Sequence, residues 1–518
     1  MNNSFFEKHK KDLIISTVIY VVFFFPVVFW DLWTNDALNR SVYVKDLVWV
    51  QQMRWGNQIW ETFIRHYFIF PQFSFVVSCI SISICAALVI DIFEVNGIIN
   101  RLIVIALLVI SIQQFSVATY AYCGDEFSIA YLLTVMGAWL LVKENRFMRF
   151  KANYALAMLC FVCSLAMYQA YFPIAITVFF VFLIKSLLEG SNLKRIFSRF
   201  VMWILTAFVS VVVYIVSVFC SLKICNTTLS AYRNMNSSES FSVSRIIGSM
   251  KDAYLYFYYN YFSDYLFNNS FLKKDLVTLL LLILMVVTIF FIVIQRKIGW
   301  LEGMVIVGVM LLFPLAINMV YLMTNTGVSF VMLPTITWIY ISVFCISSLC
   351  GDSIAGKIRH VLVLLLTAFI VLQSSITVGV STLELKADID KAKSIANNID
   401  YMVKKQMYYT ADKPLLVVGY YDEGLYPELY ENVFGTVTGG TVNDFGQFWK
   451  GPGMGMPNDN CWHSLLKKYC GSEYVKCSQE QYESVCESAV IDEMDIFPRD
   501  GSVQLYNGII VVKLSEVE

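Results

Sequence analysis

The sequence predicts a polytopic α-helical membrane protein of about 11 transmembrane helices, followed by a small C-terminal exterior α/β domain. Three observations predict it. Of the 518 residues, 58% are hydrophobic and 15% charged, far from the balance of a soluble domain. Apolar runs of about 20 residues, enough to cross a hydrocarbon layer roughly 30 Å thick, recur from Leu13 to Val380. Beyond residue 381 the pattern turns to charged amphipathic stretches and short β-rich runs.

The expected spans are 13–30, 68–93, 98–115, 127–143, 153–168, 171–188, 198–222, 275–294, 301–322, 330–350 and 359–380. Residues 153–188 are too long for one crossing and carry Gln169 and Pro173 at their midpoint, so they divide into two. Lys8, Lys10, Lys11, Lys143, Arg146, Arg149, Lys151, Lys194, Arg195, Arg199, Arg296, Lys297, Lys357 and Arg359 all fall on one side of this arrangement. Short loops rich in Lys and Arg stay inside, so the N-terminus is expected in the cytoplasm. The loops 31–67 and 223–274 and the segment 382–518 are then exterior. Trp30, Asp31 and Trp33 follow the first run where a cleaved leader would carry small residues, so that run is expected to remain as an anchor.

The first exterior loop, Asp31 to His66, packs Asp36, Arg40, Asp46, Arg54, Glu61 and Arg65 among Trp33, Trp49, Trp55 and Trp60. Leu47, Val50, Met53 and Ile59 lie near helical spacing, which predicts one or two amphipathic helices at the bilayer surface. An ordinary surface connector fits the same pattern.

Asp125 and Glu126 open the fourth span, with Tyr120 and Tyr122 just before them. They read either as acids placed at the positive end of a helix or as a second acidic group facing the first loop. The turn Met167 to Pro173 sets Tyr168 and Gln169 on the exterior side, as substrate contacts or as members of an aromatic belt. Tyrosines between Tyr232 and Tyr265 either stack on sugar faces or anchor at the interface.

In the tail, Leu383 to Gln406 reads as an amphipathic helix, 415–421 and 509–514 as strands and 479–489 as a helix. Four cysteines there, Cys461, Cys470, Cys477 and Cys486, suggest two disulfides on an oxidising side; their spacing does not suit zinc. The run 451–457, GPGMGMP, reads as a turn-rich loop rather than a phosphate loop. No nucleotide-binding fingerprint occurs, and a net charge of −1 without a basic stripe argues against nucleic acid. The metal question stays open at this stage.

Several of these motifs occur in an order that resembles one family. Asn35 to Arg40 (NDALNR), Arg54 to Gly56 (RWG), Tyr122 to Ser128 (YCGDEFS), Met167 to Ala170 (MYQA) and the tail from Met494 to Leu514 resemble the pattern of GtrII-type membrane glucosyltransferases. The resemblance implies a GT-C-like fold, with residues 1–381 as the transmembrane glycosyltransferase domain and 382–518 as a periplasmic α/β domain. It implies transfer of a hexose, glucose in that family, from a polyprenyl-phosphate donor to O-antigen lipopolysaccharide or a related surface polysaccharide. The setting would be the bacterial inner membrane, with a separate polyprenyl-phosphate glucosyltransferase and a flippase supplying the donor. Asn35 stands where the family usually carries the first of two adjacent acids.

Such a donor brings its own leaving group, so a carboxylate must take a proton and guanidiniums must hold phosphate. Asp36 is the expected base. Asp125 and Glu126 would position acceptor or sugar, or join a divalent cation. Arg40, Arg54 and Arg65 would contact phosphate, with Tyr122, Tyr168 and Gln169 lining the substrate. A polysaccharide polymerase or ligase would share this architecture but use diphosphate-linked glycans. A lipid-sugar flippase or transporter would place charges deep in its spans, which are nearly free of them here.

Overall fold

A computed structural model gives the architecture and describes residues 3–33, 46–120, 122–143, 150–230, 243–262, 274–322, 328, 330–349, 353–419 and 462–515. The chain is mostly helical. Its helices are α1 (Asn3–Phe29), α2 (Val48–Gln51), α3 (Trp55–Trp60), α4 (Pro71–Phe93), α5 (Ile98–Val109), α6 (Ile112–Thr119), α7 (Gly124–Val142), α8 (Phe150–Met167) and α9 (Pro173–Leu188). They continue with α10 (Leu193–Ile224), α11 (Val243–Phe262), α12 (Lys274–Gln295), α13 (Trp300–Ile317), α14 (Trp338–Ser347) and α15 (Ile354–Lys405).

Among the described residues eight helices are long and apolar enough to cross a membrane, or nine if the bent pair α5 and α6 is one span. This is a membrane protein. The divided pair around Tyr168 is present: α8 ends at Met167, a 3-10 turn covers Gln169–Tyr171, and Pro173 occupies the first turn of α9, where its missing N–H costs nothing. Three expected spans differ from full crossings, among them 153–168, whose apolar helix is short. The helix within 330–350 is α14 alone, ten residues and about 15 Å long. Span 98–115 bends by 47° between α5 and α6. There the Ser111 hydroxyl accepts from the Gln114 N–H and starts a new helix.

The centre of the bundle is α4 against α7 and α7 against α8, with α1 on the outer side of α4. Small and hydroxylated residues let these backbones approach. A Cβ at Gly137 would lie 2.6 Å from the Phe161 ring, Ser128 donates to Ser78 at 2.8 Å, and the Thr134 and Ser164 hydroxyls are 2.6 Å apart. On α10 the buried positions Trp203, Ala207, Ser210, Tyr214 and Val218 recur every three or four residues, while Phe208, Val212, Val216 and Phe219 are exposed. That outward apolar stripe suits lipid.

At the end of the bundle holding the α1 start, Lys8 reaches Asp91 at 2.5 Å, Trp139 donates to Asp91 at 2.8 Å, and Arg101 reaches Asp12 at 3.1 Å. Asp12, Asp91 and His9 are buried there, the first and last before the expected first span and Asp91 at the end of the second. These contacts tie α1, α4, α5 and α7 together at one end and leave the other end for the acids described below.

Residues 243–262, expected as part of a polar loop, form α11. Two of its tyrosines pack inward on other elements: Tyr256 stacks on Tyr321 at 4.5 Å, and the buried Tyr261 hydroxyl donates to the Ile336 carbonyl. The expected amphipathic helix 383–406 is no separate element but the second half of α15, which runs 52 residues without interruption.

The C-terminal sheet has the order β2 (Val475–Lys476), β1 (Pro414–Val418), β4 (Ile509–Lys513), β3 (Val503–Tyr506). β1 is parallel to both neighbours and β3 is antiparallel to β4. Asn507 and Gly508, with φ of 49° and 82°, form the two-residue turn of that hairpin. Beside the sheet lie α16 (Gln479–Cys486), with a capping box from Ser478 and Gln481, and α17 (Ala489–Glu493). Two disulfides are not formed: Cys470, Cys477 and Cys486 make none with one another. Cys470 instead faces the Asn397 amide oxygen on α15, while buried Cys477 faces the Leu415 carbonyl of β1. Cys461 and the 451–457 run lie outside the described residues.

Candidate active site

Four elements meet at one end of the bundle: α3, the π turn Glu61–Arg65 that continues it, the start of α7 and the end of α8. The π turn ends at His66 and Tyr67, both left-handed with φ of 50° and 65°, which turns the chain into α4. At the other side of the junction the Gly124 N–H bonds back to the Tyr120 carbonyl, and Ser78 donates to the Gly124 carbonyl. A Cβ at Gly124 would meet the Val117 carbonyl at 2.7 Å, so only glycine allows this approach.

The junction buries an ion cluster. Arg65 donates to Asp125 at 3.1 Å and to Glu61 at 3.2 Å, and stands 3.3 Å from Glu126. Trp60 Nε1 donates to the other Asp125 oxygen at 2.7 Å, and the Asp125 N–H donates to Ser74 Oγ at 2.9 Å. Asp125 and Glu126 are 0% exposed, Arg65 4% and Glu61 5%. Burial works against the charge of Arg65, but Glu126, Asp125 and Glu61 override it and raise its pKa above the ordinary guanidinium value. Burial beside these acids pushes the Cys123 thiol well up, which leaves it unreactive.

One guanidinium therefore faces three carboxyl groups, a formal excess of negative charge in a buried place. Among the described residues no group of three His, Cys, Asp or Glu side chains is arranged to hold a metal ion. The positive group present at the acids is Arg65.

A second cation stands beside the cluster. The Arg54 guanidinium lies 4.6 Å from the Tyr168 ring centre and 5.6 Å from that of Trp49. Tyr122 stacks on Trp49 at 6.2 Å, and Tyr168 packs on Phe127 at 4.3 Å, one turn into α7. Gln169 donates to the Met53 carbonyl and the Tyr214 hydroxyl, and Tyr214 donates to the same carbonyl, so Gln169 fixes the turn that presents Arg54. A Cβ at Gly56 would fall 2.9 Å from the Ala166 carbonyl carbon, which shows how closely α3 rests on α8.

The structure thus brings together Asp125, Glu126 and Arg65, with Arg54, Tyr122, Tyr168 and Gln169 beside them. Arg65, expected on phosphate, has its terminal nitrogens turned to carboxylates. Asp36 and Arg40 lie outside the described residues. Glu61 and Trp60 read in the sequence only as members of the first loop, and Ser74 and Tyr214 are not singled out there at all. The spacing of Glu61 and Arg65, four residues apart on a helix-compatible stretch, was a readable sign of their pairing.

A cavity lies between α6, α14 and α15, where Ser111, Ile112, Thr337, Tyr340 and Gln373 form part of its wall. Gln113, the next residue on α6, donates to the Tyr171 hydroxyl, and Tyr171 packs against Tyr168 at 5.3 Å. Gln113, Tyr171 and Tyr168 therefore link the α6 side of the cavity to Arg54.

No match to the chain is found among curated proteins or among solved structures. The family model described as Glucosyl transferase GtrII matches residues 25–346, which includes every residue of the ion cluster and more than half of the chain. With an acid and arginine cluster at the end of an apolar bundle and this match, the chain belongs to the GtrII glucosyltransferase family, as a membrane-embedded glycosyltransferase.

Proposed function

We propose that the chain moves glucose from a polyprenyl-phosphate carrier to a surface polysaccharide, an O-antigen or a related polymer, on the outer side of the bacterial inner membrane. The observation that carries this reading is the buried cluster of Arg65 with Asp125, Glu126 and Glu61, placed beside Arg54 at one end of the apolar bundle. A lipid-linked sugar requires that geometry, because its phosphate stays at headgroup height while its chain remains among the helices.

In this reading the acceptor hydroxyl attacks the anomeric carbon as the bond from that carbon to the phosphate oxygen breaks. The electron pair leaves with polyprenyl phosphate, and the hydroxyl proton passes to a carboxylate. Asp36 is that base. Arg54, partly buried against Tyr168 and Trp49, meets the phosphate together with Arg40. Arg65 holds Asp125 and Glu126 in register so that they orient the sugar or the acceptor. The basic end of the bundle faces the cytoplasm, in line with its lysines and arginines, and the sheet domain lies in the periplasm.

The test is mass spectrometry of surface polysaccharide from cells with and without the protein. One added hexose per repeat is expected; unchanged polysaccharide refutes the acceptor. Asp36→Asn should abolish the addition at unchanged membrane abundance, and transfer near the wild-type rate would remove Asp36 as base.

A further inference from the structure

Asn57 is fully buried and Gln58 is 8% exposed, yet neither carboxamide has a hydrogen-bond partner for its nitrogen or its oxygen among the described residues. They sit at the start of α3, one turn before Glu61, and the Gln58 carbonyl accepts from Thr62 at 2.7 Å, which confirms the helical register into the π turn. Arg54 Nε and Arg65 Nε on the same stretch are also buried and unpartnered among the described residues. Buried amides are ordinarily paired, since leaving one unpaired forfeits its hydration without return. Two adjacent exceptions, flanked by orphan guanidinium nitrogens and next to the ion cluster, mark a place built for a polar ligand.

The chemistry of that ligand follows from the groups themselves. A carboxamide offers donors and an acceptor together. A phosphate only accepts and would leave both amide oxygens unpaired; a cation would leave both amide nitrogens unpaired. A hydroxyl donates and accepts, so hydroxyls on different sides of a sugar can satisfy both carboxamides, which point roughly 100° apart around the helix.

We propose that Asn57 and Gln58 recognise the hydroxyl groups of the carried sugar and set which hexose the protein accepts. This rests on the reading that the donor is a lipid-phosphate sugar. A site made to hydrogen-bond a hydroxyl rejects a ligand that lacks or misplaces it, because its own polar groups are then left unpaired.

The test uses the full chain in lipid nanodiscs and three probes: polyprenyl-phosphate glucose, its galactose epimer and bare polyprenyl phosphate. The wild type should bind the glucose lipid more tightly than the other two. Asn57→Ala and Gln58→Ala should each weaken the glucose lipid by about tenfold or more while leaving the bare carrier unchanged, so that the preference collapses. Asn57→Ser and Gln58→Asn, which keep a donor and an acceptor, should retain part of the preference and guard against misfolding of the alanine variants. An unchanged preference in folded variants, or a wild type that does not distinguish sugar-bearing from bare carrier, overturns the inference. A wild type that shows the preference but transfers no sugar supports the inference and refutes the reaction.

Discussion

Arg65 holds three buried acids at once. Replacing it with methionine should cost about 3–5 kcal/mol, the usual penalty for stranding buried charge, and thermal unfolding in detergent would measure it. Asp125→Asn makes a sharper probe of chemistry. The asparagine oxygen can still accept from Trp60, so the fold should survive while transfer falls roughly 100-fold in a membrane assay with a lipid-phosphate sugar. Asp125, Glu126 and Arg65 were legible in the sequence as charges at the right level of the bundle. Their mutual contact was not, since it depends on the π turn that rotates Arg65 towards α7, and π geometry leaves no pattern in residue types.

Helix contacts decide how tightly that cluster is held. Gly56→Ala would drive a methyl group into the Ala166 carbonyl and Met167, and α3 would have to lift from α8. A loss of about 1–3 kcal/mol is expected in thermal unfolding, with transfer reduced because Arg54 shifts over Tyr168. Most element positions could be read from apolar runs, down to the division at Gln169 and Pro173. The bend at Ser111 could not, because a single serine inside an apolar run carries little weight against its neighbours. Helix α11 was hidden for the opposite reason: its tyrosines and serines look like loop residues until Tyr256 and Tyr261 find partners on other elements. The β3 and β4 hairpin was within reach, since Asn507-Gly508 is a strong signal for a two-residue turn.

At the scale of the molecule, the C-terminal region is locked to the root of the first loop. Trp33 donates to the Tyr469 hydroxyl at 2.6 Å, and Lys468 reaches Asp31 at 3.2 Å and lies 4.8 Å from the Trp33 ring. Burial lowers the Lys468 pKa although Asp31 works to raise it. Replacing Lys468 and Tyr469 together with alanine should lower transfer several-fold without loss of membrane insertion, read by hexose incorporation and by membrane abundance. Removing 383–518 should weaken use of the acceptor further; unchanged transfer by a stable remnant would set the whole region aside. The two-part composition of the chain was plain in its sequence, whereas this contact joins residues more than four hundred positions apart and could not be seen without coordinates.

Helix α15 passes through the change in composition near Leu383 without a break, and at about 1.5 Å per residue its 52 residues reach about 78 Å. A hydrocarbon layer is roughly 30 Å thick, so more than half of the helix is surplus to a crossing and acts as a mast. Leaning such a mast by about 5° carries a point 40 Å above its foot sideways by about 3.5 Å. A sideways load on the sheet would thereby be felt at Trp33, through Tyr469 and Lys468, and at the rim of the bundle.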